Sequence, residues 1–353
     1  MKKAVAFALS AAMAAGIFAG CGSSANQQPK QELNLFTWMG MFPDEVLENF
    51  QKETGITVNY SNFDTDETML QKLSQAKGGD YDLIIADDYI IQTAIEQGLV
   101  AKLDKEKLTN LDNVNPIYQS QFYDPDNSYT VPYGAGVQTI VYNPETVNFE
   151  ITGYEDLWNA ALEDNLAIIG NYRVINGMAL KTMGESYNTN DVAKIEAAGQ
   201  KLLELAPNIR LIKDENTQDD LISGEVGAAI MYTSQVTLAK MANPDLKVVF
   251  PKEGIGLGIM AQFIPSQAPN PDAAHQFINY ILQPEVAKQC FEHLGYYSTN
   301  KAADELISEE YKEFLTLPDN FTADSTEMIA PISAEAEEAH VKVWTEFKNA
   351  CGQ

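Results

Sequence analysis

The sequence predicts an α/β protein built from two doubly wound lobes. Three observations carry this. The chain has 353 residues, enough for two cores of ordinary size. Short apolar runs alternate with amphipathic stretches along nearly all of it, the order that yields parallel strands with crossover helices. One run, "YDLIIA" (81–86), is apolar without interruption, as in a strand covered on both faces.

The elements follow in order. "LNLF" (33–36) is a first strand. Pro43 opens a helix whose positive end is matched by Asp44 and Glu45, and Val46, Leu47 and Phe50 share one of its faces. Gly55 ends that helix, and "ITVNY" (56–60) is a β-branched strand. A helix over Asp66–Lys77 is capped by Thr65 or Asp64 and stopped by Gly78 and Gly79. After "YDLIIA", residues 87–98 return as a helix ending at Gly98. A second lobe then opens with the strand "TIVYN" (139–143) and a helical "YEDLWNAAL". "LAIIG" (166–170) is a strand, residues 190–205 an amphipathic helix, and Tyr232 ends another strand, "AAIM". "PDLKVVFP" and "IMAQFIP" (259–265) are strands, "GIGLG" (254–258) is a loop before the latter, and helices start at Pro271 and Pro284.

The amino terminus reads as an export signal. Lys2 and Lys3 precede an apolar run that is too short to span a membrane, and Phe18-Ala19-Gly20-Cys21 resembles a bacterial lipobox. The expectation is a lipoprotein signal peptide over 1–20, lipid on Cys21, and a flexible tether over 21–31. Of the other cysteines, Cys290 and Cys351 either pair or remain two thiols.

Composition excludes several function classes. With 50 acidic residues against 23 basic ones the net charge is −27. No basic run exists to displace counterions from phosphates, so nucleic acid is not a partner. The acidic surface keeps the chain soluble and favours cationic small molecules. No nucleophile motif, phosphate loop or paired metal-ligand spacing is present, so no enzyme, cofactor or metal site is expected. The three histidines, His275, His293 and His340, read as ordinary helix-surface residues.

What remains is a set of aromatic and polar residues just past strand ends. In open α/β sheets this is the edge where ligands bind. Trp38 follows the first strand, Asp87 and Tyr89 the third, and Tyr133 follows "YTVP". Asn171, Tyr172 and Arg173 follow "LAIIG", and Tyr232 follows "AAIM". Singly, each has a structural explanation: Asp87 or Asp88 could cap the next helix, and Arg173 could hold a structural ion pair. Together they predict a shared cleft.

Six stretches carry a family resemblance: "TWMGMFPDEVLENFQKETGITVNYSNFDTDETMLQKL", "GGDYDLIIADDYIIQTAIEQGLVAKLDKEKLTNL", "YTVPYG", "VVFPKEGIG", "INYILQPEVAKQ" and "LGYYSTNKAA". In this order they resemble the extracellular solute-binding proteins of the spermidine/putrescine-binding type. The resemblance implies a periplasmic-binding-protein-like fold of type II, with an interlobe cleft and a hinge that closes on ligand. It implies discontinuous lobes, 32–137 plus 259–306 and 138–258 plus 307–353. It implies a monomer that hands a small solute to an ABC permease and touches the membrane through its lipid anchor only, outside the cytoplasmic membrane. Trp38, Tyr89, Tyr232 and Tyr296 match the family's aromatic cage for alkylammonium chains. The family's carboxylates do not carry over: their positions hold Asn171, Val174 and Met260, and Gly258 stands where an aromatic is usual. Asp87 stands where a small hydroxyl residue is usual and could replace one acid. The ligand implied is a polyamine or, alternatively, a zwitterionic or amine-containing solute met by Arg173.

Overall fold

The structure is a computed structural model that describes residues 31–213, 216–315 and 326–352. The expected leader, Cys21 and the tether up to residue 30 lie outside the described residues. Among the described residues no helix is long and apolar enough to cross a membrane.

The first half is wound as expected: β1 (Glu32–Thr37), α1 (Asp44–Thr54), β2 (Thr57–Asn62), α2 (Asp66–Gln75), β3 (Leu83–Asp87) and α3 (Asp88–Glu96). β1 pairs in parallel with both β2 and β3. Pro43 precedes α1 as its cap residue rather than its first turn. Gly55 ends α1 at φ 75°, a left-handed conformation in which glycine carries no Cβ penalty. Thr65 caps α2, its side chain accepting the Thr68 amide.

The middle of the chain differs from expectation in one important way. "YTVP" and "TIVYN" are not separate elements but one strand of 13 residues, β4 (Thr130–Tyr142). The nearly unbroken apolar run explains it, because β4 is covered on both faces along its whole length. Then come β5 (Leu166–Ile168), α4 (Tyr172–Thr182), α5 (Val192–Leu205), β6 (Ile209–Ile212), α6 (Thr217–Ser223), β7 (Ala228–Tyr232), α7 (Thr233–Ala242) and β8 (Lys247–Val249). "YEDLWNAAL" forms two 3-10 turns, interrupted where Asn159 turns extended to cap the second with its own side chain. "GIGLG" is strand, not loop: it opens β9 (Ile255–Phe263). Its glycines let side chains from neighbouring strands approach, as Gln138 does at Gly256. The chain continues with α8 (Pro271–Ile281), α9 (Pro284–Leu294), β10 (Tyr297–Ser298), α10 (Lys301–Asp304), α11 (Glu309–Leu315), β11 (Thr326–Met328) and α12 (Ala334–Ala350).

The strand order is β2-β1-β3-β9-β4-β7-β5-β6, and it makes two α/β lobes joined through shared strands. β9 runs antiparallel to β3 in one lobe and to β4 over Thr130–Val137. The far half of β4, Gln138–Tyr142, pairs instead with β7. β11 adds a parallel strand to the start of β9.

Each lobe has its own core. In the first, Phe42, Phe50 and Phe277 pack beneath β1, with Phe50 and Phe277 edge to face at 4.9 Å. In the second, α12 lays Val343, Trp344 and Phe347 against α4 and α5. Full burial of each such side chain contributes about 1.5–3 kcal/mol. Cys290 belongs to the first core, whereas Cys351 packs against the second. Both are free thiols, so the option of a disulfide is withdrawn. Burial raises both thiols, Cys290 to about 12 and Cys351 to about 11.

Two histidines expected on the surface are buried. His275 accepts the Asp104 amide at 2.9 Å, so its ring fixes a loop of the first lobe. His340 lies at 0% exposure between α12 and α4, beside Asn176. On both helices the charged neighbours that suggested a solvent face belong to the opposite side.

Candidate functional site

The carboxyl ends of β1 and β3 and the start of α4 open on one cavity of about 620 Å³. Of the seven residues singled out for the ligand, six line it: Trp38, Asp87, Tyr89, Asn171, Tyr232 and Tyr296.

The seventh, Tyr133, does not. It is 1% exposed, and its side chain points into the first lobe's core from β4. Its hydroxyl donates to the Met41 carbonyl at 2.5 Å. Position along the strand is the reason: on β4 the residues that reach the cavity are Gly136, Val137 and Gln138, farther along than Tyr133. Tyr133 therefore supports the loop that carries Trp38. Tyr60 does the same from the other side, donating to the Trp38 carbonyl and accepting from the Met41 amide. Gly40 allows this tight loop at φ 75°, and His293 donates to its carbonyl at 2.9 Å. Trp38 itself leans on Phe63, ring centres 4.9 Å apart.

Tyr296 shows why a glycine is needed opposite it. A Cβ at position 136 would lie 2.7 Å from the Tyr296 ring and 3.1 Å from the Thr233 hydroxyl. Without it the ring lies flat along β4, held by a hydrogen bond with Ser234. Met260 fills the wall beside it, 8% exposed, with its methyl over Gly134.

The polar groups divide by role. Asn171 caps α4, accepting the Arg173 and Val174 amides at 3.1 and 3.2 Å. Asp88 is 4% exposed and fully used: one oxygen accepts the Tyr89 amide at 2.7 Å, the other the Ile259 amide at 2.9 Å. It fastens the end of β3 to β9. Arg173 is 11% exposed and also occupied. It faces Glu337 at 3.5 Å and donates to the Tyr187 carbonyl, Asn188 and the Ala330 carbonyl. The structural reading of Arg173 is thus the one its geometry follows, even though it lines the cavity.

Asp66 and Glu67 were overlooked in the sequence. Both belong to the first turn of α2, where acids complement the helix dipole and seem to need no further reason. In the fold, α2 brings them to the end of β3. Asp66 is 5% exposed and accepts the Asp87 amide at 3.4 Å, while Glu67 accepts the Tyr89 hydroxyl at 3.2 Å. Glu337 was also missed, hidden in the acidic first turn of α12; it accepts the Tyr172 hydroxyl.

The electrostatic outcome is one-sided. Among the described residues, six acids line the cavity (Asp64, Asp66, Glu67, Asp87, Asp88 and Glu337) against one cation, Arg173. Burial, then the charge of Asp87, raises Asp66 well above the usual carboxylate range. Burial raises Asp87 to about 6, with Glu67 adding to it. Burial and Asp87 likewise raise Asp88. Burial, then the surrounding acids, raises the Tyr89 hydroxyl strongly. Carboxyls in this condition are neutralised either by protons or by an incoming cation.

The chain matches the family described as bacterial extracellular solute-binding protein over residues 45–319. It is 35% identical over 336 residues to the spermidine/putrescine-binding periplasmic protein of Salmonella typhimurium, covering 94% of this chain and 97% of that one. To the protein of the same name from Escherichia coli it is 36% identical over 317 residues, 89% and 91% of the two chains. Among solved structures it resembles the spermidine/putrescine ABC transporter substrate-binding protein PotD of Streptococcus pneumoniae, with TM-score 0.82, 30% identity, and 91% and 99% coverage.

Proposed function

Because this chain belongs to the family of bacterial extracellular solute-binding proteins, we propose that it captures a polyamine of the putrescine/spermidine class and delivers it to the membrane permease of an ABC importer. One observation carries the ligand class: six carboxylates face a cavity walled by Trp38, Tyr89, Tyr232 and Tyr296, and the single arginine there is already engaged. Aromatic faces attract alkylammonium groups, and a desolvated carboxylate pairs with them through charge-assisted hydrogen bonds. The names of the relatives point to the same class. The zwitterion reading relied on Arg173 as a counter-charge, and that side chain is committed to Glu337 and three backbone or side-chain acceptors.

In this reading the ligand residues are Trp38, Asp66, Asp87, Tyr89, Tyr232 and Tyr296, with Asn171 shaping the wall. The lobes are 32–137 plus 259–306 and 138–258 plus 307–353, closing about β4 and β9. The division of the core supports this, since Val131 packs with β1 and α8 while Ile140 packs with α4 and α12. The protein acts as a monomer, without turnover of its ligand, tethered outside the cytoplasmic membrane through a lipid on Cys21. A Cys21→Ser chain recovered in the soluble fraction checks the anchor.

A thermal-shift series tests the ligand class. Ligand that binds only the folded state adds about 2.7 kcal/mol of stability at a hundredfold excess over Kd. Putrescine and spermidine are expected to raise the midpoint, and glutamate and glycine betaine to leave it unchanged. A shift with an amino acid alone would overturn the proposal.

A further inference from the structure

We propose that Asp66 and Asp87 form one subsite for a single primary ammonium terminus, and that filling it expels a proton the two carboxyls share. The inference rests on the polyamine reading above and sharpens which end group the site accepts.

The geometry comes from two elements. Asp87 ends β3, and Asp66 opens α2, whose amino end lies against β3. The Asp66 carboxyl accepts the Asp87 amide, and the two carboxyls are themselves hydrogen-bonded. Two carboxylates cannot hydrogen-bond to each other unless one carries a proton. Burial raises both carboxyls, and the proton is shared by the pair. No lysine, arginine or histidine forms an ion pair with either acid among the described residues. Lys72, on the same helix, sits instead over the Phe36 ring at 5.2 Å.

The other groups around the pair leave it short of positive charge. From α2 comes Glu67, and from the start of α3 come Asp88, with both oxygens on backbone amides, and Tyr89. Tyr296, from the loop before β10, completes the surroundings. Asp66 is thus a carboxyl more than nine-tenths buried, at the cavity wall, met only by its acidic partner.

An alkylammonium terminus resolves the arrangement. R–NH3+ keeps all three of its N–H bonds and donates to both carboxylates. The O–H bond within the pair breaks and its proton leaves to solvent. The pair then bears two negative charges against one positive charge, with a further donor in the Asp87 amide. A quaternary ammonium has no N–H to offer. The aromatic walls would still attract it by cation–π forces, but the pair would keep its proton. The subsite therefore discriminates by end-group chemistry, which an aromatic cage alone does not do.

Calorimetry of the full chain with putrescine and with its bis-trimethylammonium analogue, in phosphate and in Tris at pH 7, tests this. The dependence of the heat on buffer reports protons released. The expected result is net proton release with putrescine and none with the analogue, which binds more weakly. Asp66→Asn and Asp87→Asn are expected to bind putrescine about 10- to 100-fold more weakly, with no proton released. Asparagine keeps an acceptor for the Asp87 amide, and the wild-type proton count does not depend on how the variants fold. Wild-type binding of putrescine without proton release, or equal affinity for the analogue, overturns the inference and leaves the polyamine reading standing. Absence of binding by any primary amine overturns both.

Discussion

The two banks of the cavity are built from similar parts and do opposite things with charge. On one bank, α2 and the end of β3 bring Asp66, Glu67 and Asp87 together with no cation to balance them among the described residues. On the other, α4 and α12 bring Arg173 to Glu337, and Arg173 further holds Asn188 and the Ala330 carbonyl. The first bank is electrostatically unfinished, whereas on the second the acid faces its cation. A protein that must bind and release needs one of each. On the second bank Arg173 ties the Ala330 carbonyl, in the segment 329–332 that lines the cavity, to α4.

Breaking the finished bank is expected to give the largest effect. Arg173→Ala leaves Glu337 without its cation and the Ala330 and Tyr187 carbonyls without their donor. Removing one partner of a buried pair costs about 3–5 kcal/mol, and the partial exposure of Glu337 places this case near the lower end. Urea unfolding of the unliganded protein measures it. A loss below about 0.5 kcal/mol, the range of ordinary surface substitutions, would mean that Arg173 is not structural and reopen its role toward the ligand.

Trp38→Ala comes next, and it acts on affinity. An aromatic anchor at a buried contact carries about 2 kcal/mol or more of binding, so putrescine affinity is expected to fall about 30-fold. Its packing on Phe63 adds a smaller loss of stability. Unchanged affinity in a folded variant would remove Trp38 from the cavity wall as a binding element.

The contrast between the banks explains what the sequence made legible. Strand ends are readable because apolar runs stop abruptly, so Trp38, Tyr89, Asn171 and Tyr232 were placed correctly at the cavity. Tyr133 does not reach the cavity because "YTVP" does not end a strand: β4 continues through it, and its ring packs into the first lobe's core. Asp66 and Glu337 were missed for a different reason. An acid in a helix's first turn already has a local explanation in the helix dipole. That explanation holds for both residues, and it conceals that their helices end at a cavity. Whether such an acid meets a cation is decided by a partner far along the chain, as with Arg173 and Glu337, or by the lack of one.

A smaller effect of opposite sign separates the banks further. In the unliganded protein Asp66→Asn removes a carboxyl that burial and Asp87 both disfavour in its charged form. Replacing such a group by a neutral isostere is expected to raise stability by about 1 kcal/mol at pH 7. Thermal unfolding without ligand checks this. Destabilisation instead would show that the two carboxyls support the fold rather than strain it.

The pH dependence is the most delicate of these effects, and its sign is fixed by Asp87. Burial pushes its carboxyl up to about 6 in the folded protein, above the ordinary 3.8. Between these values the folded state binds more protons than the unfolded state, so the contribution of Asp87 to stability falls as pH rises from about 4 to 6. His340 works the other way. Burial, then Arg173, lowers its folded value to about 4, so its contribution is lost as pH falls from 6.5 toward 4. The two would obscure each other in a plain pH–stability curve. Asp87→Asn keeps His340, so the wild type minus the variant isolates Asp87 together with its effect on Asp66 and Asp88. Without ligand, the wild type is expected to gain on the variant as pH drops from 7 to 5. With putrescine the order reverses, because the ammonium requires the carboxylate and its affinity falls through the same window. A stability difference that is flat between pH 7 and 5, with and without putrescine, would show that Asp87 does not titrate at the cavity wall and would erase the distinction between the two banks.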